Sequence, residues 1–172
     1  MPRTALFLAL LPVDAMAAGG DTSAPPSHPQ FKTGQVWEPA SQKCLTAHAP
    51  TLDDAARLVA VREYAYDGQF HMAALVLDAM QDQQADGVLT YRGFLARRRG
   101  AAAEARAWYG RALARNPDNL LARSYTGQGL VFEGDLVGAL IQHRENVARG
   151  GRGTWAEATL AEAISTGTAY AY

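Results

Sequence analysis

Apolar residues recur every three or four positions along most of the chain after residue 53, the spacing that places them on one buried face of an α-helix. Two such stretches lie on either side of Gly100, a residue that tolerates the left-handed backbone of a helix end. Pro117 cannot continue the second stretch. The pattern therefore predicts two antiparallel helices, at about 88–99 and 102–115.

This helical pair has a copy further along the chain. A shift of 34 residues aligns small and aromatic positions, matching Tyr91 with Tyr125, Gly93 with Gly127, Gly100 with Gly134, and Ala105 with Ala139. A shift of 32 aligns Gly68 and Ala73 with Gly100 and Ala105. The matched residues are small where helices approach closely, or are Gly at a turn, so they favour a true repeat. We predict repeats at about 53–85, 86–119 and 120–150.

A last helix is predicted at 154–166. Thr154 and Glu157 have the spacing of a capping box, which satisfies the free N–H groups of a first turn. The final repeat of a stack otherwise exposes an apolar face. The residues of this helix that can cover such a face are Trp155, Leu160 and Ile164.

The second pair resembles a tetratricopeptide repeat. The residues at its small, turn, aromatic and proline positions are Gly93, Gly100, Ala105, Tyr109, Ala112 and Pro117, and the third unit keeps Gly127, Gly134 and Ala139. The resemblance runs from about residue 53 to 147 within a domain placed at 51–172. It implies an all-α fold, a right-handed superhelix of about three helix-turn-helix repeats plus a C-terminal capping helix. The family is defined by its scaffold, so no single function follows.

The amino terminus predicts export. Residues 1–17 have the three parts of a secretory signal peptide, namely Arg3, an apolar run at 5–11 and a small-x-small site at Ala15-Met16-Ala17. The run is too short to span a bilayer permanently, so we expect no stable membrane anchor. We expect cleavage near Ala17 and a periplasmic or secreted protein.

Residues 18–50 are predicted to be a disordered leader followed by a short segment that contains Trp37 and Cys44. The segment resembles a module of exported bacterial repeat proteins in which Gly-x-Val-Trp-acid lies between two cysteines, but Phe31 stands at the first cysteine position. We interpret the unpaired Cys44 as structural, because nothing nearby marks an oxyanion site beside His48. Trp37 is expected to dock the segment onto the helices, and the alternative is contact with a glycan.

Composition and motifs exclude several function classes. A hydrophobic content of 48% with 19% charged residues is typical of one globular domain. A formal net charge of -1 indicates no general attraction to nucleic acid. The four His residues and Cys44 lack metal-site spacing, and no nucleophile elbow or phosphate loop is present. The sequence thus predicts no enzyme, no metal and no cofactor.

The resemblance also implies a binding surface, since in this family the first helix of each pair lines a concave groove. The positions that map to the groove are Arg62, Tyr66, Thr90, Phe94, Arg97, Arg98, Ser124, Gln128 and Phe132, of which Phe94 is the one most expected to pack between repeats. Arg and aromatic residues are common in binding hot spots. A scaffold for a peptide or another envelope protein is therefore expected. The alternatives are a self-associating structural protein, with a possible homodimer, and a glycan or small-ligand binder.

Overall fold

The computed structural model describes residues 34–38 and 40–168. The predicted signal peptide, the leader at 19–29 and Phe31 lie outside the described residues. Helices make up most of the described chain, and the only strands within it form one short hairpin. The mostly helical content confirms the prediction of an all-α protein.

The described elements follow one another with short connections. The strands of the hairpin are β1 (Gln35–Glu38) and β2 (Lys43–Thr46). The helices are α1 (Asp54–Tyr66), α2 (Phe70–Asp78), α3 (Asp86–Arg98), α4 (Ala102–Arg115), α5 (Leu120–Phe132), α6 (Leu136–Asn146) and α7 (Trp155–Thr166). A wide turn at Val147–Gly151 joins α6 to α7. The bounds predicted at 88–99, 102–115 and 154–166 agree with α3, α4 and α7 to within two residues.

Three glycines form the turns inside the helical pairs. Gly68, Gly100 and Gly134 have φ angles of 75°, 82° and 83°, a backbone region that is costly for residues with a Cβ atom. After the turn at Gly100, the N–H of Ala101 donates to the carbonyl of Ala96 at 2.9 Å. This bond satisfies a carbonyl that the helix end would leave free. Because the same turn recurs, α1 and α2, α3 and α4, and α5 and α6 each form an antiparallel pair.

Small residues allow close packing between the helices. A Cβ atom at Gly93 of α3 would lie 2.4 Å from the Tyr109 ring of α4, so only Gly fits there. A Cβ atom at Gly127 of α5 would lie 2.6 Å from Leu160, which belongs to α7 rather than to α6. The last helix therefore packs closely against α5.

The β-hairpin docks on α1 through its backbone and Val36. The Tyr64 hydroxyl accepts from the Gln35 N–H at 3.0 Å and donates to the Gln35 carbonyl at 2.7 Å. Val36 is fully buried, whereas Trp37 on the opposite face of the strand is 41% exposed. The expectation that Trp37 docks this segment is therefore corrected, because strand alternation turns Val36 inward instead. Cys44 lies opposite Trp37, half-buried and without a disulfide among the described residues.

Two charged residues of α1 join the helices to the segments around them. The buried Arg57 guanidinium donates to the carbonyls of Ala47 at 2.9 Å and Ala49 at 3.0 Å. It also pairs with Asp54 at 3.1 Å. The Asp54 carboxylate in turn accepts from the N–H groups of Gln81 and Asp82, both at 2.9 Å. These contacts connect the hairpin, α1 and the loop before α3.

We expect the substitution Gly93→Ala to destabilise the fold by about 1–3 kcal/mol, because the new methyl group overlaps the Tyr109 ring. The matched control is Gly110→Ala in α4, where nothing lies within 4 Å of the added Cβ atom. Helix propensity favours Ala in both, so the control should gain up to about 1 kcal/mol. Urea unfolding measures the difference, and equal stabilities would contradict this account of the packing.

Acid should weaken the contribution of Asp54. Burial raises the pKa of its carboxyl, but the N–H groups of Asp82 and Gln81 and the Arg57 side chain lower that pKa further, so it lies below its ordinary value. A lowered folded pKa gives stability that is complete above the unfolded pKa, about 4, and is lost as pH falls through the folded pKa. Asp54→Asn should cost about 1–3 kcal/mol at pH 7, and the cost should shrink below pH 4. A pH-independent difference in urea unfolding would refute the assignment.

Candidate functional site

The structure divides the nine predicted groove residues into two groups. Thr90, Phe94, Ser124 and Gln128 are each at most 1% exposed. Arg62, Tyr66 and Arg97 are half-buried, Arg98 is exposed, and Phe132 is 80% exposed. The predicted role of the first four in partner contact is therefore corrected to packing inside the protein.

Phe94 is the centre of an aromatic cluster. Its ring centroid lies 6.3 Å from Tyr66 of α1, 6.2 Å from Phe70 of α2, 6.3 Å from Tyr91 of α3 and 5.4 Å from Tyr125 of α5. Edge-to-face and tilted arrangements at such distances are the favourable ones for aromatic pairs. Phe94 thus packs between the helical pairs, which was the role most expected of it.

Helix α7 covers the polar groove residues of α5. The Gln128 amide donates to Ser124 Oγ at 3.1 Å and to Thr159 Oγ1 of α7 at 3.3 Å. Thr90 is used inside the protein as well, since its hydroxyl accepts from the Asn119 amide at 3.0 Å. These side chains satisfy one another, which is what allows polar groups to be buried.

Tyr66 extends the same packing from the first helix to the last. Its ring lies 5.6 Å from Trp155 at the start of α7, and its hydroxyl lies 3.1 Å from that of Tyr125. The Arg62 guanidinium lies over the Tyr66 ring at 5.7 Å. The middle of the expected groove is consequently occupied by the protein's own side chains.

An open cavity of about 510 Å³ lies beside this cluster, where the end of α3 meets the start of α4 and the second half of α5. Its apolar wall includes Ala105, Tyr109, Tyr125 and Phe132. Gly129 contributes no side chain, and nothing lies within 4 Å of a Cβ atom built there. The cavity, which we call the α4–α5 cavity, has the size of typical ligand pockets, about 300–1,000 Å³.

The cavity wall contains one clear difference between the repeats. A shift of 34 residues places Gly129 on Leu95, which lines the corresponding crevice between α2 and α3. That crevice has a volume of only about 130 Å³. The larger space between α4 and α5 is therefore associated with the loss of one Leu side chain. The difference between Leu95 and Gly129 is visible when the repeats are aligned, although Gly129 was not among the predicted site residues.

Arginines make the rim of the α4–α5 cavity positive. The Arg97 guanidinium donates to the side-chain amide oxygen (Oε1) of Gln128 at 3.3 Å and lies 5.4 Å from the Tyr125 ring centroid. Arg98 lies over the Phe70 ring at 5.0 Å. Neither forms an ion pair with a described carboxylate, whereas Arg106 pairs with Glu133 across the rim. Two guanidinium groups at the rim thus remain available for an anion.

The Tyr109 hydroxyl is a buried polar group of the cavity wall. It is without a hydrogen-bond partner among the described residues. Burial raises the pKa of this hydroxyl, although the positive charge of Arg97 opposes the shift, so it stays protonated at neutral pH. An unsatisfied buried hydroxyl costs about 1–3 kcal/mol of stability.

The described residues contain no group of three or more His, Cys, Asp or Glu side chains placed to hold a metal ion. None of the described helices is long and apolar enough to cross a membrane. No protein-family model, curated protein or solved structure matches the chain. The geometry of the cavity is therefore the main guide to function.

Replacing the two Phe residues of the predicted groove should change stability by very different amounts. Phe94→Ala should destabilise the protein by about 3–5 kcal/mol, because it empties the centre of the aromatic cluster. Phe132→Ala should change stability by less than about 0.5 kcal/mol, since its ring is mostly in solvent. Thermal unfolding followed by circular dichroism compares the two, and similar losses would contradict the division of the groove into core and surface.

Proposed function

We propose that the chain is an exported tetratricopeptide-repeat scaffold that binds a segment of another envelope protein in the α4–α5 cavity. The bound segment places an apolar side chain in the cavity and an acidic group beside Arg97 and Arg98. The observation that carries the proposal is an open, apolar cavity of about 510 Å³ whose rim holds two guanidinium groups without carboxylate partners among the described residues.

The repeat class rests on the recurring helical pairs. Each pair turns at a Gly with positive φ, and Gly93 allows the Tyr109 ring to pack against α3 as the repeat comparison requires. A right-handed superhelix is the arrangement proposed for these pairs. Export to the periplasm is proposed from the sequence pattern at residues 1–17, and cell fractionation of the full chain tests it.

Shape and charge together favour an acidic, apolar peptide. The wall residues offer contact to an aromatic or branched side chain, which gains free energy on leaving water. Hydrogen bonds between a guanidinium and a carboxylate are about twice as strong as neutral ones. Arg97 and Arg98 are held over aromatic rings, so less side-chain freedom is lost when they bind. Binding rather than catalysis is accordingly the proposed activity.

Selection from a random peptide display library on the purified protein tests this specificity. Enriched peptides should combine an aromatic or large aliphatic residue with Asp or Glu. Arg98→Glu should weaken the best peptide at least about tenfold in fluorescence anisotropy, equal to about 1.4 kcal/mol. The matched control is Arg115→Glu, at the end of α4 that lies away from the cavity, and this variant should bind the peptide normally. Enriched peptides without acidic residues, or equal binding by Arg98→Glu, would overturn the proposal.

A second variant distinguishes peptide binding inside the cavity from general attraction by positive charge. Gly129→Leu restores the side chain found at Leu95 and should fill the space without a clash. Peptide binding should fall at least about tenfold, while the melting temperature is kept or raised by the better helix propensity of Leu. Retained binding in a stable Gly129→Leu protein would move the site elsewhere. Oligosaccharide binding lost in Trp37→Ala but kept in Gly129→Leu would support the glycan alternative instead.

A further inference from the structure

A stripe of large apolar side chains lies exposed along α6. Leu136 and Ile141 are each 47% exposed, Leu140 is 51% exposed and Val137 is 70% exposed. Their spacing of one, four and five residues places them on one face of the helix. Soluble monomers rarely expose large contiguous apolar patches, and such patches often mark protein contacts. We call these four residues the α6 stripe.

The path of α7 explains why the α6 stripe is uncovered. Thr159 of α7 meets Gln128 of α5 at 3.3 Å, and Leu160 packs at Gly127. The residues of α6 that face these helices are Ala139 and Asn146, both fully buried. The last helix therefore closes the α5 side of the stack and leaves the outer face of α6 open to solvent.

Charges at the two ends of the stripe are opposite. Asp135, the N-cap residue of α6, stands just before the helix, and Arg144 follows Leu140 by one helical turn. Neither Asp135 nor Arg144 forms an ion pair within the described residues, whereas Glu133 pairs with Arg106, and Arg149 pairs with Asp118 and Glu145. The stripe thus has an acidic start and a basic end.

This polarity makes the stripe complementary to itself in the antiparallel direction. A two-fold axis near residue 139 brings Val137 of one copy opposite Ile141 of the other. It also places Arg144 within about 1.5 Å of the level of Asp135, because this is the rise of one residue along a helix. A parallel arrangement would instead set Arg144 against Arg144, and like charges repel.

We infer that a second copy of this chain covers the α6 stripe, forming a two-fold dimer of antiparallel α6 helices. Such an interface is isologous, since each copy contributes the same surface. It buries the four apolar side chains and pairs Arg144 with the acidic end of the partner helix. The interface is independent of the peptide proposed for the α4–α5 cavity.

Sedimentation velocity of the full chain, over a concentration series with reducing agent, tests the dimer. The wild type should associate reversibly, and Val137→Glu should raise the dimer dissociation constant at least about tenfold. Val59→Glu is the matched control, because Val59 is 50% exposed on α1, far along the chain from the stripe. The control should associate like the wild type. Circular dichroism and urea unfolding verify that both variants are folded.

A charge exchange tests the antiparallel register. Arg144→Glu and Asp135→Lys should each weaken association at least about tenfold, since each places like charges together at both ends of its own dimer. Asp135→Lys also loses the N-cap hydrogen bond of α6, so circular dichroism must show that this variant is folded. A mixture of the two variants should associate again, because the mixed dimer has opposite charges at both ends. A mixture of Arg144→Glu with Val59→Glu should contain only the dimer that Val59→Glu forms with itself, since the mixed dimer keeps one pair of like charges.

Several results would overturn the dimer. These are a wild type that stays monomeric across the series, a Val137→Glu variant that associates normally, or equal losses in Val137→Glu and Val59→Glu. Association that occurs only without reducing agent, and that disappears in Cys44→Ser, would assign the contact to a disulfide instead. Failure of the charge exchange alone, with Val137→Glu effective, would exclude the antiparallel arrangement proposed here. Peptide binding by the α4–α5 cavity is measured separately and does not decide any of these outcomes.

Discussion

The packing around Phe94 is the contact on which the helical stack depends. Its fully buried ring touches aromatic side chains from α1, α2, α3 and α5, and Tyr66 carries the packing on to Trp155 of α7. Each aromatic pair adds only about 0.5–1.5 kcal/mol beyond burial, but the shared centre joins all three helical pairs. Because the cluster fills the middle of the expected groove, the available binding space lies at its edge.

The α4–α5 cavity includes a local departure from the repeat. Gly129 stands where Leu95 lies one repeat earlier, and the cavity measures about 510 Å³ against about 130 Å³ for the crevice beside Leu95. A Gly inside a helix costs about 1 kcal/mol, and the buried Tyr109 hydroxyl adds a further cost. Departures of this kind from local sequence rules are expected at functional sites. The residues that leave space for the cavity therefore lower the stability of the helical stack.

The position of α7 separates two surfaces. By packing on α5, this helix buries Ser124 and Gln128 and removes them from any partner. The same position of α7 leaves the α6 stripe exposed at the outer end of the stack. One surface is a positive cavity suited to a single inserted side chain, and the other is a flat apolar face with charges at its ends. Because their chemistry differs, the α4–α5 cavity favours a peptide as its partner, and the α6 stripe favours another copy of the chain.

The sequence by itself determined the helices and their turns, because these depend on local chemistry. Apolar period placed the helices to within a few residues, and Gly68, Gly100 and Gly134 form the turns as predicted. Only the tertiary structure decided which helix covers which face. The period shows that Ser124 and Gln128 share a face but not that α7 lies on it, and it does not reveal that Val36 rather than Trp37 is buried. Contacts between distant segments depend on the shapes of both surfaces, which a single stretch of sequence does not contain.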